Sequence, residues 1–290
     1  MEVSSINRFL PWWSKIAGKM ILNRLPVSYS VWQRLGLFRH GAMDQAAYAL
    51  GVFDLHMART GLQDALAGKT ILELGPGDSV ACAIIASAHG ARATLVDVGH
   101  FAANAPSTYL PLISLLKAKG LNAPDISHCE TMDDVLAVCG AEYLTHGLNS
   151  LATIKSESID LIYSQAVLEH VRCHEFLAIQ RECARVLTLE GVCSHQVDLR
   201  DHLGGGLNNL RFSRRLWESK FFVQSGFYTN RIHFQDMASL FNQAGFAVDV
   251  IEMRSWNVLP IRGRQLAPEF RDKSEKVLNV SGFHVLLKRR

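Results

Sequence analysis

The chain has 290 residues, of which 48% are hydrophobic, so it can bury a large core without disulfide or metal cross-links. Its net charge of only +3 offers no electrostatic footprint for nucleic acid, and we expect no nucleic-acid partner. The six cysteines form no CxxC pair, which predicts small core residues in a reducing, cytoplasmic compartment. No run reaches the roughly 20 apolar residues of a membrane span, and the N-terminal residues are not typical of a signal peptide.

Positive charge is concentrated at both ends of the chain. Residues 1–40 and residues 251–290 each carry a net charge of +5, which leaves −7 for the residues between them. Residues 4–22 place apolar side chains on one helical face and three basic side chains on the other, a pattern that predicts an amphipathic helix. We expect this helix either to pack on the main domain or to make peripheral contact with the inner face of a membrane, with Trp12 and Trp13 near the headgroups.

Further helices are predicted at 28–38 and 42–60, so residues 1–60 are interpreted as a helical cap on a domain formed by residues 61–290. In that domain the predicted strands lie at 70–74, 92–97, about 142–145, 159–164, 191–198, 246–253 and 283–288. The predicted helices lie at 79–89, 109–119, 132–139, 174–187 and 234–244. The alternation indicates an α/β fold, with a doubly wound, mostly parallel seven-stranded sheet and an antiparallel last strand at its edge.

One motif joins the first predicted strand to the following helix. Gly75 and Gly77 lie in the turn, and Asp97 ends the next strand 20 residues beyond Gly77. Glycines allow the backbone to approach a ligand closely, and a carboxylate at the end of the second strand accepts hydrogen bonds from ribose hydroxyls. The motif therefore predicts a nucleoside site.

Two residues favour one nucleoside over another. Val80 stands where a dinucleotide-binding turn has its third glycine, and the carboxylate of Glu73 would repel a pyrophosphate. A cationic ligand such as S-adenosylmethionine tolerates both Glu73 and Asp78. Charge therefore favours S-adenosylmethionine over a nicotinamide cofactor, although a nicotinamide-dependent oxidoreductase or epimerase stays an alternative.

Residues 73–79 (ELGPGDS), Asp97 and residues 156–170 (SESIDLIYSQAVLEH) resemble the motifs of the Rossmann-like S-adenosylmethionine-dependent methyltransferases. The resemblance covers roughly residues 60–290. It implies seven strands with the last antiparallel, and a cofactor lying over the carboxyl ends of the first and fourth strands. The cofactor-binding residues that we predict are Glu73, Gly75, Gly77, Asp78, Ser79, Asp97, Ser164 and Gln165.

The sequence departs from the family pattern at two positions. Ser79 replaces the third glycine of the family's turn, and His146 with Gly147 follows the third strand where an acidic residue is usual. The residue that recognises adenine is therefore not assigned.

Histidines follow the fourth and fifth predicted strands, where a base for methyl transfer to oxygen would stand. His170 follows the fourth strand, and His195, Asp198 and His202 lie at the end of the fifth. A neutral imidazole oriented by an aspartate is a suitable base at pH 7, so these four residues are the catalytic candidates. The alternative for each histidine is that it shapes the pocket and does not act as the base. The residues after the fourth strand and those after the fifth strand have no recognised metal-ligand spacing, and we predict no metal.

Residues 202–231 interrupt the sheet pattern with a run of three glycines at 204–206, which predicts a mobile loop, followed by arginines and aromatic residues. We interpret this insertion as a lid over the acceptor, because arginines with aromatics suit phosphate, carboxylate or sugar hydroxyls. The alternative is an arm that contacts a second subunit in a homodimer.

The sequence therefore predicts an S-adenosylmethionine-dependent methyltransferase acting at oxygen on a small molecule. The overall pattern is similar to that of bacterial methyltransferases of cell-surface glycan biosynthesis, which implies a saccharide precursor as acceptor. Methylation of a lipid or quinone at the membrane surface is the second interpretation. A catalytically inactive fold that serves as a partner module is a third.

Overall fold

The computed structural model of the protein describes residues 42–290 together with Ser14. Apart from Ser14, the predicted helices at 4–22 and 28–38 lie outside the described residues. The amphipathic face and its membrane contact therefore stay predictions.

The described residues form one seven-stranded sheet with the order β3-β2-β1-β4-β5-β7-β6. The strands are β1 Thr70–Leu74, β2 Arg92–Val96, β3 Glu142–Leu144, β4 Ile159–Gln165, β5 Leu187–Asp198, β6 Phe246–Ser255 and β7 Val280–Arg289. Strands β1 to β5 pair in parallel, and β7 pairs antiparallel with both β5 and β6. This is the α/β architecture that the sequence predicted, with an antiparallel last strand.

The position of the last strand differs from the prediction. Strand β7 lies inside the sheet, between β5 and β6, and the edge belongs to β6. Phe283, Val285 and Leu287 of β7 are fully buried, whereas Val250 and Ile251 of β6 are exposed. The more apolar strand takes the inner place because there it covers both its faces and both its hydrogen-bonding edges.

The helices lie between the strands and in the segments that follow β5 and β6. They are α1 Ala46–Thr60, α2 Ala81–Ala88, α3 Leu110–Ala118, α4 Met132–Cys139, α5 Leu148–Thr153, α6 Cys173–Val186, α7 Arg214–Trp217, α8 Lys220–Val223, α9 Phe234–Gln243, α10 Pro268–Arg271 and α11 Glu275–Leu278. Local chemistry explains several ends. Thr131 and Asp134 form a capping box before α4, and Gly140 ends that helix in the left-handed conformation.

A hydrophobic core lies on each face of the sheet. Ile71 and Leu161 face the first core with α1 to α4, and Leu72 and Ile162 face the second with α6 and α9. Neighbouring residues of one strand point to opposite faces, so each strand serves both cores. Helix α1, from the predicted cap, packs directly on the first face, and the division of the chain at residue 60 stays a prediction. No helix in the described part of the chain is long and apolar enough to cross a membrane.

Candidate active site

The turn after β1 meets the loop after β4. Gly75 and Gly77 have φ values of 66° and 65°, which favour glycine. A Cβ atom added at Gly75 would lie 2.6 Å from the side chain of Val167 in the loop after β4. The two separate sequence motifs therefore come together at the carboxyl edge of the sheet.

Asp97 follows β2 and is held beside the glycine turn. Its Oδ2 accepts a hydrogen bond from the Gly77 amide at 3.1 Å, and its Oδ1 accepts one from the Val98 amide at 2.7 Å. Its carbonyl accepts from the Gly147 amide at 2.8 Å, which ties the loop after β3 to the same place. Each carboxylate oxygen can accept more than one hydrogen bond, so this fixed carboxylate suits ribose hydroxyls.

Glu73 is not the exposed carboxylate that the charge argument assumed. The side chain is buried at 2% exposure, and its Oε2 has no hydrogen-bond partner among the described residues. Burial raises the pKa of this carboxyl to about 8, and the nearby Asp97 carboxylate adds to the shift. Glu73 is therefore neutral at pH 7 and does not repel an anion, so the case for the cofactor depends on the glycines and Asp97.

Asp78 and Ser79 are buried at the start of α2. The Asp78 carbonyl accepts from the Ala103 amide at 2.9 Å, and the Ser79 hydroxyl accepts from the Ala81 amide at 3.1 Å. These contacts stabilise the turn and the first residues of the helix. Direct binding of the cofactor by the two side chains stays a prediction.

The structure argues against catalysis by His195. This residue and Ser164 are both fully buried, on the face of the sheet that packs against α9. The Ser164 hydroxyl lies 2.8 Å from His195 Nδ1, and the ring stacks on Phe241. Burial lowers the pKa of the His195 ring to about 3. Neither side chain reaches the surface where a substrate would bind, because alternation along each strand turns them into the core.

Gln165, the last residue of β4, is only half-buried. Its side-chain oxygen lies 3.2 Å from Nε2 of His56 on α1. It is thus the β4 residue that combines access to the carboxyl edge with a fixed side chain.

His170 and His202 form an exposed pair at this edge. Their Nε2 atoms lie 3.2 Å apart, and the rings stack with centroids 4.9 Å apart. Nδ1 of His170 lies 2.8 Å from the carbonyl oxygen of Tyr228 in the insertion. The structure thus brings together two of the three histidines that the sequence predicted.

The insertion is anchored to the loop that carries His170. The side-chain amide of Asn230 donates to the carbonyls of Leu168 and Val171 at 2.8 and 2.9 Å, and its backbone amide donates to the Glu169 carbonyl at 2.6 Å. Glu169 itself is buried, and burial raises the pKa of its carboxyl to about 8. The position of His170 therefore depends on the insertion.

Asp198 does not orient a histidine. Its carboxylate forms an ion pair with the guanidinium of Arg200, with the shortest contact at 2.6 Å. Burial alone would raise the pKa of Asp198, but Arg200 outweighs it and holds the pKa below its ordinary value. The predicted aspartate–histidine pair is absent from the described contacts, because an arginine two residues away binds the carboxylate in a bidentate manner.

The glycine loop of the insertion is held by Asp201. This buried carboxylate accepts hydrogen bonds from the backbone amides of Leu203, Gly206 and Asn208. Three amide donors on one carboxylate close the loop into a defined turn.

The insertion has a small core of its own, centred on the fully buried Trp217. Arg231 belongs to the 202–231 insertion whose arginines were predicted to suit the acceptor, and it lies over the ring of Trp217 at 5.2 Å and over that of Phe270 at 5.0 Å. Its Nη1 donates to the carbonyl of Phe212 at 2.6 Å. Arg231 therefore stabilises the insertion instead of facing a ligand, because its guanidinium makes cation–π contacts with two rings and donates hydrogen bonds to backbone carbonyls.

The first face of the sheet holds polar groups that the sequence did not indicate. His56, Ser194 and His284 are buried and hydrogen-bonded to one another on the α1 side. They lie more than 80 residues apart in pairs, and His56 lies in an apolar helical face where a histidine is ordinarily a core residue. No sequence signal could have joined them. In the described part of the chain, no group of three or more His, Cys, Asp or Glu side chains is placed to hold a metal ion.

The fold and this site define a Rossmann-like enzyme with a nucleoside cofactor. The two positive-φ glycines and the fixed carboxylate of Asp97 fit S-adenosylmethionine. Residues 72–194 match the family model described as a methyltransferase domain. These residues therefore form a methyltransferase domain, and its cofactor is S-adenosylmethionine.

Solved structures of similar fold are distant in sequence. An S-adenosylmethionine-dependent methyltransferase from Mesorhizobium loti is 17% identical, over 79% of this chain and 97% of that chain, with a TM-score of 0.42. A TehB-like methyltransferase from Corynebacterium glutamicum is 14% identical, over 84% and 97%, with a TM-score of 0.40. Phosphoethanolamine N-methyltransferase 2 from Haemonchus contortus is 14% identical, over 77% and 49%, with a TM-score of 0.43. No curated protein matches the chain.

Proposed function

We propose that the enzyme methylates a hydroxyl oxygen of a small molecule, with a saccharide precursor as the acceptor class and His170 as the general base. The observation that carries the proposal is the contact between His170 Nδ1 and the Tyr228 carbonyl. A carbonyl oxygen only accepts hydrogen bonds, so Nδ1 of His170 must carry the proton. Nε2 of a neutral His170 then has the lone pair that a base requires.

The position of His170 supports this role. Its backbone amide donates to the Val167 carbonyl at 2.8 Å, in a tight turn after β4. Val167 is the residue that packs on Gly75, so the base lies three residues beyond the point where the loop after β4 contacts the cofactor turn. A base in this place is close to the reaction without contacting the glycine turn.

The chain's own residues remove the proton of the acceptor hydroxyl. When bound, S-adenosylmethionine supplies an activated methyl group. Nε2 of His170, which faces His202 Nε2 in this structure, takes the proton that the acceptor hydroxyl loses. The Tyr228 carbonyl continues to accept from Nδ1 and stabilises the imidazolium that forms. Gly75, Gly77 and Asp97 would hold the cofactor.

The character of the edge supports a hydroxyl-bearing acceptor. The exposed side chains there include His146, His170, Arg200 and His202, all of which donate or accept hydrogen bonds. A rim of this kind suits a substrate with several hydroxyl groups better than an apolar tail. The saccharide class comes from the sequence resemblance, and the polar rim agrees with it.

The test is methyl transfer from methyl-labelled S-adenosylmethionine to fractionated small molecules from cell extract, with the labelled product analysed by mass spectrometry. We expect the label on oxygen of a water-soluble, hydroxyl-rich product, and we expect His170→Gln to abolish labelling. His174→Gln is the matched control, because His174 is exposed on the neighbouring helix and contacts only Glu175 at 3.9 Å among the described pairs. Label on nitrogen, on carbon or in the lipid fraction would contradict the proposal.

A further inference from the structure

A line of hydrogen-bonded side chains crosses the sheet beneath α1. Arg59 on α1 contacts Nδ1 of His284 on β7, and Nε2 of His284 lies 2.8 Å from the Ser194 hydroxyl on β5. That hydroxyl lies 2.7 Å from Nδ1 of His56, whose Nε2 lies 3.2 Å from the side-chain oxygen of Gln165. The line therefore runs from the first helix to the last residue of β4, at the carboxyl edge.

The chemistry of the first member sets the direction of every hydrogen bond. Arg59 can only donate, so Nδ1 of His284 accepts and its Nε2 carries the proton that is donated to Ser194. The Ser194 hydroxyl is buried and must place its own hydrogen, and Nδ1 of His56 is the remaining partner along the line. Nε2 of His56 then donates to the side-chain oxygen of Gln165.

Both rings are neutral at pH 7, which this direction requires. Burial lowers the pKa of His56 to about 4, and burial together with the neighbouring Arg59 and His56 lowers the pKa of His284. A protonated ring would have two donors and would reverse one contact in the line.

We propose that His56 is a positioning residue that turns the Gln165 amide, so that the two N–H groups of Gln165 bind an acceptor oxygen of S-adenosylmethionine. An amide whose oxygen is held by His56 must present its nitrogen on the opposite side. Gln165 is half-buried at the end of β4, next to the loop that packs on Gly75. The inference rests on the methyltransferase assignment, and it is independent of the acceptor and of His170.

A serine–histidine pair on the other face of the sheet offers a comparison. It shows that the His56 line does more than satisfy the hydrogen bonds of buried polar groups. Ser164 and His195 also form a buried serine–histidine contact, but Nε2 of His195 has no partner among the described residues. That pair ends within the core. The His56 line instead ends on a partly exposed amide at one side and on Arg59, paired with Glu252, at the other.

Calorimetry with S-adenosylhomocysteine, the product form of the cofactor, tests the coupling between His56 and Gln165. We expect Gln165→Ala and His56→Phe each to weaken binding by about five- to tenfold, the loss of roughly one hydrogen bond. The double variant should bind no more weakly than either single variant, because His56 acts through Gln165. His56→Gln should restore binding, since the glutamine side chain offers a donor near the position of the imidazole Nε2.

His233→Phe is the matched control, because it removes another buried histidine with a lowered pKa, whose ring contacts Phe270 and no member of the line among the described ring contacts. Its binding should equal that of the unchanged protein. Normal binding by Gln165→Ala or by His56→Phe would overturn the proposal, as would losses that add in the double variant. If the unchanged protein binds S-adenosylhomocysteine but methylates no hydroxyl, the O-methylation proposal fails and this test still gives its answer.

A second measurement uses the unchanged protein, so it does not depend on the folding of a variant. Nitrogen-15 NMR of the histidine rings distinguishes protonated from unprotonated ring nitrogens at neutral pH. We expect His56 and His284 both to carry the proton on Nε2. A proton on Nδ1 of His56 would reverse the line, leave the amide of Gln165 turned the other way and overturn the proposal.

Discussion

The two halves of the proposed active site are built in different ways. The cofactor half uses backbone amides and glycines from residues 75–77 with Asp97, all within 25 residues of one another. The proposed acceptor half consists of the side chains of His170 and His202, and the position of His170 depends on a carbonyl of Tyr228, 58 residues beyond it. The difference indicates that a change in the insertion after β5 can alter the acceptor site and leave the cofactor site intact.

Replacing His170 gives the largest expected effect and separates the two halves. For His170→Ala we expect kcat to fall about 10²- to 10⁴-fold, because general base catalysis is lost. The affinity for S-adenosylhomocysteine should not change, since no contact of the glycine turn is removed. Steady-state kinetics with calorimetry measure both. An equal loss in affinity would mean that the halves are not separable.

Replacing Asp97 is the reciprocal experiment and has the next largest effect. For Asp97→Ala we expect binding of S-adenosylhomocysteine to weaken about 10- to 100-fold, which corresponds to about 1–3 kcal/mol for hydrogen bonds to a charged group. Asp133→Ala, on the exposed surface of α4, is the control and should bind normally. Unchanged affinity in Asp97→Ala would place the ribose elsewhere.

Each half contains a buried carboxyl that makes stability depend on pH. The folded-state pKa values of Glu73 and Glu169 are both about 8, above their ordinary value of 4.5. The stability that each contributes is therefore complete below pH 4.5 and is lost as the pH rises to 8, at about 1.4 kcal/mol per pH unit for each group. Urea unfolding between pH 6 and 8 should show this decline. Glu73→Gln or Glu169→Gln should each remove about half of it, and identical slopes in all three proteins would show that the carboxyls are ionised in the fold.

Replacing His195 gives the smallest expected effect. For His195→Phe we expect kcat to stay within about threefold of the unchanged value, because the ring is buried against Phe241 and acts only in packing. Steady-state turnover is the measurement. A loss comparable to that of His170→Ala would show that the buried ring takes part in the reaction.

The sequence by itself determined most of the elements and the glycine turn after β1. Strand β1 at 70–74 and helix α4 at 132–139 have the predicted bounds, and the other predicted elements in the described residues differ from the structure mainly at their ends. Periodicity and turn residues act over a few neighbours, so they can be read from the chain alone. The glycine turn and Asp97 belong to the same class of local signal.

Only the tertiary structure decided which polar residues are accessible. It buried Glu73 and His195, paired Asp198 with Arg200, enclosed Arg231 between aromatic rings and placed β7 inside the sheet. It also joined His56 to Ser194 across 138 residues of sequence. Burial and partner choice depend on which elements pack on each face of the sheet, and that packing is not encoded within any one segment.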